Sequence, residues 1–258
     1  MSLFHATAYI GIIPAAPGHP LTYAALNAQG DLLALGQGDS HEVLAFAGGQ
    51  RAAFVALGSP RGPAQGLFQD PQVRQTLSPP PRPGRWTRGR VAEYLLRRHN
   101  LRIHLTPTDE AQCPAWMRTG FRLNAALQRL GYTVYPDDQA PRQLLETYPH
   151  AVFAALLGRL PFPKGTLEGR IQRQLVLRNQ GLALPDPMRV FEEITRHRLL
   201  QGMLPTPGLY TPHELDALAA AWTAYRAHQA PEEVTRLGHP AEGEIVLPVA
   251  TLLPRYRR

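Results

Sequence analysis

Short apolar runs separated by turn residues fill the first part of the chain. Residues 8–15 (AYIGIIPA) form a run rich in isoleucine, and 21–27 (LTYAALN) a second. A third, 31–35 (DLLAL), follows the turn Ala28-Gln29-Gly30. Such runs predict neighbouring antiparallel strands. A short helical pattern then follows Ser40, with Val43, Leu44 and Ala47 on one side. Residues 52–57 (AAFVAL) read as a buried strand ending at Gly58-Ser59-Pro60.

The pattern lapses over residues 60–88, which are rich in proline and glycine and include Ser78-Pro79-Pro80-Pro81-Arg82-Pro83-Gly84. Proline locks the backbone and lacks an amide donor, so this segment is expected to lack regular structure, as an insertion at the rim of a site. Helical spacing dominates afterwards. Residues 88–99 carry Val91 and Leu95, with Arg90, Glu93 and Arg97 placed for pairing along one helix. Trp116, Gly120, Leu123, Leu127 and Leu130 form an apolar stripe that stops at Gly131, and Leu167, Ile171 and Leu175 mark a helix stopped at Gly181. Asp186-Pro187 opens a further helix that runs to Gly202, and Thr211-Pro212-His213-Glu214 has the spacing of a capping box before a long alanine-rich helix. Residues 132–135, 144–148 and 244–247 read as strands.

Composition fits one domain over residues 1–258: 44% of residues are hydrophobic and 18% charged, enough for a substantial core. No apolar run approaches the roughly 20 residues of a membrane-spanning helix. No basic region precedes the first apolar stretch, so a secretory leader is not expected and the cytoplasm is the default compartment. Cys113 is the only cysteine, which excludes an internal disulfide and a cysteine zinc cage. Lys and Arg outnumber Asp and Glu by 27 to 20, which favours nucleic acid or another polyanion as partner. Lys164 is the sole lysine, so nearly all the positive charge is arginine.

Two carboxylates stand out. Glu146 closes an apolar strand (LLETYP), and Asp216 lies one turn into the alanine-rich helix (ELDALAAAWTAY). A carboxylate amid so much apolar surface needs a cation, a donor or water. In PFPKGTLEGRIQRQLVLR, Lys164, Glu168, Arg170 and Arg173 surround the Leu167–Ile171–Leu175 stripe, and arginine forks suit phosphate or carboxylate. The ten histidines show no metal-ligand spacing, and His150 is the one near a candidate site. Ser59 lacks the GxSxG elbow of a serine hydrolase.

The segments ETYPHAVFAALLG, PFPKGTLEGRIQRQLVLR, PDPMRVFEEITRHRLLQG, ELDALAAAWTAY and LGHPAEGEIVLP, in this order, resemble the family known as domain of unknown function 429, described as predicted RNase H-like nucleases. The resemblance implies an α/β RNase H-like fold: a central mixed sheet, antiparallel meander plus parallel strands, flanked by helices. It also implies acidic residues meeting at one sheet edge to hold divalent metal, Mg²⁺ or Mn²⁺, for phosphodiester cleavage. Glu146, Asp216 and Glu242 match acidic positions of that pattern. Its Gly-Ile-Asp-Pro is Gly11-Ile12-Ile13-Pro14 here, and its Ala-Ile-Asp-Ala-Pro is Ala56-Leu57-Gly58-Ser59-Pro60. Ile13 and Gly58 therefore stand where two aspartates are expected. Three functions follow. The first is a catalytically degenerate copy that binds nucleic acid or another polyanion through Arg90, Lys164, Arg170 and Arg173. The second is an active metal-dependent phosphodiesterase using Glu146 and Asp216, with Glu93, Glu168 or Glu242. The third is a partner-binding module using the proline-rich segment.

Overall fold

The structure, a computed structural model, describes residues 7–77 and 88–258. Its strands are β1 (Ala8–Ile13), β2 (Leu21–Leu26), β3 (Leu32–Gly38), β4 (Ala53–Leu57), β5 (Thr133–Val134), β6 (Arg142–Glu146), β7 (Thr235–His239) and β8 (Gly243–Leu247). They form one sheet in the order β3-β2-β1-β4-β6-β8-β7, with β5 pairing the start of β6. β1, β2 and β3 make an antiparallel meander, β1, β4 and β6 run parallel, and β8 joins β6 in parallel through Glu146 and Ile245. The helices are α1 (Ser40–Gly48), α2 (Pro71–Thr76), α3 (Val91–Arg98), α4 (Ala115–Arg129), α5 (Pro149–Leu157), α6 (Leu167–Asn179), α7 (Arg189–Glu193), α8 (Arg196–Leu200) and α9 (Pro212–Gln229). This is an α/β fold consistent with an RNase H-like arrangement.

Strand alternation divides the core into two layers. Ile10, Ile12, Val55, Leu57 and Leu144 pack with α1 and α4 on one face. Tyr9, Ala56 and Leu145 pack on the other, where α9, α5 and α3 lie. α9 sits directly on β1 because Gly11 has no side chain: a Cβ there would lie 2.1 Å from the Ala217 carbonyl and 2.4 Å from the Ala221 nitrogen. Ala217 and Ala221 cover Gly11 while His228, three turns on, bonds the Tyr9 hydroxyl at 2.7 Å. The helix thus runs antiparallel to β1 and brings its N-terminal turns to the C-terminal end of that strand. The capping box at Thr211 and Glu214 opens α9 as its spacing predicts.

Several sequence expectations need correction. Residues 60–88 are not wholly irregular. Asp70 caps α2 by accepting from the Gln72 amide, Pro71 takes the first helical position, and Phe68, Leu77 and Val91 share a small core. The Ser78–Gly84 run lies outside the described residues. The helix expected from Asp186 to Gly202 is two short helices, because Thr195 leaves the helical conformation and caps α8. Asp39, not Ser40, caps α1, exchanging bonds with Glu42. β7 was not foreseen.

Candidate functional site

A cleft of about 890 Å³ opens at the C-terminal ends of β1 and β4, between the start of α9 and the Tyr148-Pro149 entry to α5. Crevices outside the carboxyl ends of parallel strands are where open α/β sheets bind ligands. Ile13 and Gly58 both line it, and they touch. A Cβ at residue 58 would stand 2.7 Å from the Ile13 Cδ1. The isoleucine fills the room that a side chain on the neighbouring strand would need.

Asp216 lines the same cleft and is 7% exposed. Its Oδ2 accepts from the Lys164 Nζ at 2.8 Å. Lys164 reaches it from the loop between α5 and α6, and that loop is fastened to α6. The Thr166 side chain caps α6 on the Gly169 amide and donates to the Pro163 carbonyl, and the Phe162 amide donates to Gln172. Gly169 permits this docking, since a Cβ there would lie 1.9 Å from the Pro163 oxygen. Arg173 lies beneath, 2% exposed, its Nη1 donating to the Phe162 and Gly169 carbonyls and its guanidinium 5.3 Å from the Phe153 ring centre. Burial lowers its pKa, and Asp216 opposes the shift. His150, also in the cleft, is pushed below the usual histidine range by burial and by Arg173, against the pull of Asp216. Burial and the Asp216 charge raise Tyr148 to about 12. Arg102, Trp116 and the exposed His19, His104 and His213 complete the walls.

Glu146 belongs to a different constellation. It is in register with Leu57 and lines a small neighbouring pocket together with Gly58, His104, Trp116 and Tyr148, while Asp216 and Ile13 line the larger cleft. There it meets Arg90, which is fully buried: Nη1 donates to Oε2 at 2.7 Å and Nη2 to Oε1. Arg90 Nε bonds Glu93 at 3.2 Å, and Glu93 also accepts from the amide and hydroxyl of Thr106. Glu242, 2% exposed, accepts from the amides of Gln65 at 2.9 Å and Val91 at 3.1 Å. Burial alone would lower the Arg90 pKa, but the Glu146 carboxylate against it holds it above its ordinary value. Burial pushes the Glu146 carboxyl up while Arg90 pulls against it.

The candidate residues therefore sort differently from the expectation. Lys164, Arg173 and Asp216 come together in the cleft with Ile13 and Gly58. Arg90, expected at an anion-binding surface, is enclosed with Glu93 and Glu146. Arg170 is engaged by the carbonyls of Leu209 and Tyr210. Glu168 is exposed in the first turn of α6, where a carboxylate favours the helix dipole. Glu146 and Asp216, expected to share a metal, each hold a cation of their own. Mg²⁺ needs several oxygen ligands in near-octahedral array. Isoleucine and glycine offer no side-chain oxygen, and among the described residues no three acidic, histidine or cysteine side chains are grouped to hold a metal. These residues do not fit a divalent metal pair. Arg102, His104 and Trp116, which sequence reasoning did not assign to the site, lie on irregular chain or at a helix start, and only the strand order brings them to the cleft.

The family profile described as "Protein of unknown function (DUF429)" matches residues 30–242. The chain belongs to this family. The match spans β4, β6, α6 and α9, and so includes Gly58, Lys164, Arg173 and Asp216 of the DUF429 cleft, while Ile13 precedes it. No curated protein and no solved structure matches the chain. Among the described residues, no helix is long and apolar enough to cross a membrane.

Proposed function

We propose that this DUF429 protein is a binding domain for nucleic acid or another polyanion, built on an RNase H-like frame whose carboxylate centre has been lost. One observation carries the reading. The cleft is lined by Arg102, Lys164 and Arg173, and its one carboxylate among the described lining residues, Asp216, is already paired with Lys164. The surplus of positive charge, Arg102 exposed at the rim and Arg173 buried below, lies where strand carboxylates of a nuclease would face metal. Trp116 and Tyr148 add aromatic surface, which stacks bases without regard to sequence. The formal charge of +7 supplies long-range attraction.

The test is a pair of measurements on the purified full chain. Fluorescence anisotropy with single-stranded and duplex DNA and RNA should show binding whose log K falls linearly with log salt. Cleavage assays with Mg²⁺ or Mn²⁺ should show no turnover. Robust metal-dependent cleavage, abolished in a Glu146→Gln/Asp216→Asn variant, would establish an active nuclease instead. Absence of binding at low salt, where electrostatic attraction is strongest, would leave the partner-binding module.

A further inference from the structure

We propose that Arg173, Lys164 and His150 form a receptor for a phosphate monoester at the end of a nucleic acid strand. The proposal rests on the polyanion reading of the same cleft and names the group it receives. Arg173 is the starting point. Only Nη1 is engaged by backbone carbonyls, and the buried Nε has no partner. Among the described residues no carboxylate forms an ion pair with this guanidinium, because Asp216 is bonded by Lys164. A buried cation whose nearby carboxylate is bonded by another cation is incompletely compensated, and an anion entering from the cleft would relieve it.

The chemistry of that anion follows from its neighbours. A guanidinium fork matches the oxygens of phosphate, and a lysine beside it adds a point charge. Lys164 and Arg173 against Asp216 leave one net positive charge on the floor of the cleft. His150 adds its ring nitrogens to the cleft wall. A terminal phosphate carries a charge of about −1.5 to −2 at neutral pH, whereas a diester within a strand carries one. Geometry points the same way. The Phe153 ring and the Phe162 and Gly169 carbonyls take up one side of the Arg173 guanidinium, and the cleft that Arg173 lines is the side left for a ligand. A strand end can enter such a site, and a continuous strand would need an exit. The wider cleft, with Trp116 and Tyr148, takes the adjoining nucleotide.

The experiment compares short single-stranded oligonucleotides that differ only at one end. One set carries a 5′-phosphate or a 5′-hydroxyl with the dye at the 3′ end, and the other a 3′-phosphate or 3′-hydroxyl with the dye at the 5′ end. The phosphorylated form of at least one set should bind the full chain about tenfold more tightly, roughly the value of one charge-assisted contact. Arg173→Gln and Lys164→Ala should each abolish the difference. Lys164 is half-exposed, so the second variant keeps the test intact should the first fail to fold. Equal binding of phosphorylated and hydroxyl forms overturns the proposal, and if that binding stays salt-dependent the polyanion reading survives. Failure of every oligonucleotide to bind at low salt overturns both. Inorganic phosphate that competes as strongly as the phosphorylated oligonucleotide assigns the site to free phosphate and overturns the strand-end assignment.

Discussion

Replacing Arg90 with leucine removes the cation that Glu93 and Glu146 share while keeping most of the buried volume. The Arg90 and Glu146 side chains are 0% and 6% exposed, so neither water nor salt screens the pair well. Breaking a buried pair from one side leaves an uncompensated carboxylate and costs about 3–5 kcal/mol. For a chain of this size that corresponds to a fall in Tm of about 10 °C. The loss depends on pH. The folded state already holds the Glu146 proton more tightly than the unfolded chain does, because burial raises its pKa. Such a group favours folding below the ordinary carboxylate range and loses that contribution as pH rises through its folded value. Removing Arg90 raises the folded value further, so the Tm gap between variant and native protein should widen from about pH 5 to pH 8. Glu146→Leu added to Arg90→Leu should recover part of the loss, since it removes one of the two buried carboxylates that Arg90 neutralises and leaves Glu93. Thermal denaturation followed by circular dichroism across that range is the assay. A single variant within about 2 °C of the native Tm at every pH would refute the reasoning.

Three further outcomes follow from the cleft and its supports. Ile13→Asp/Gly58→Asp should confer Mn²⁺ binding detectable by calorimetry or electron paramagnetic resonance, while Gly58→Asp alone must displace the Ile13 Cδ1 and should bind none. Asp216→Asn frees Lys164 and should tighten oligonucleotide binding and steepen its dependence on salt by about one ion, whereas Lys164→Ala should flatten it by a similar step. Gly169→Ala forces the Pro163 carbonyl away from α6 and should cost about 1–3 kcal/mol in urea denaturation, with loss of oligonucleotide affinity as Lys164 shifts.

How much was legible varied with the kind of signal. The meander, the Ala53–Leu57 strand and the capped α9 follow from local periodicity and turn chemistry, and all three are present. β7 escaped because Thr-Arg-Leu-Gly-His lacks an apolar alternation and acquires its strand form by pairing with β8. The Asp70-Pro71 start of α2 was masked by the surrounding prolines, although that dipeptide is itself a helix-opening signal. In the site, sequence position placed Ile13 and Gly58 at equivalent strand ends, but their contact depends on parallel pairing of β1 with β4. Glu146 was misplaced for a different reason. A strand-ending carboxylate shows its polarity in sequence, while the partner it takes, Arg90, comes from a distant helix start. Arg90 illustrates the same limit of local reading: its pairing with Glu93 was visible, but its stronger bond crosses from α3 to β6.

Glu242 has a consequence of another kind. One carboxylate grips the Gln65 amide on the outgoing chain and the Val91 amide on the returning chain, so both feet of the intervening stretch stand on a single anchor. Arg90 stands just inside the second foot and carries its own bond to the β6 end, and Phe68 and Leu77 pack on Val91, so exchange without redrawing the sheet is open only to the rest of the stretch.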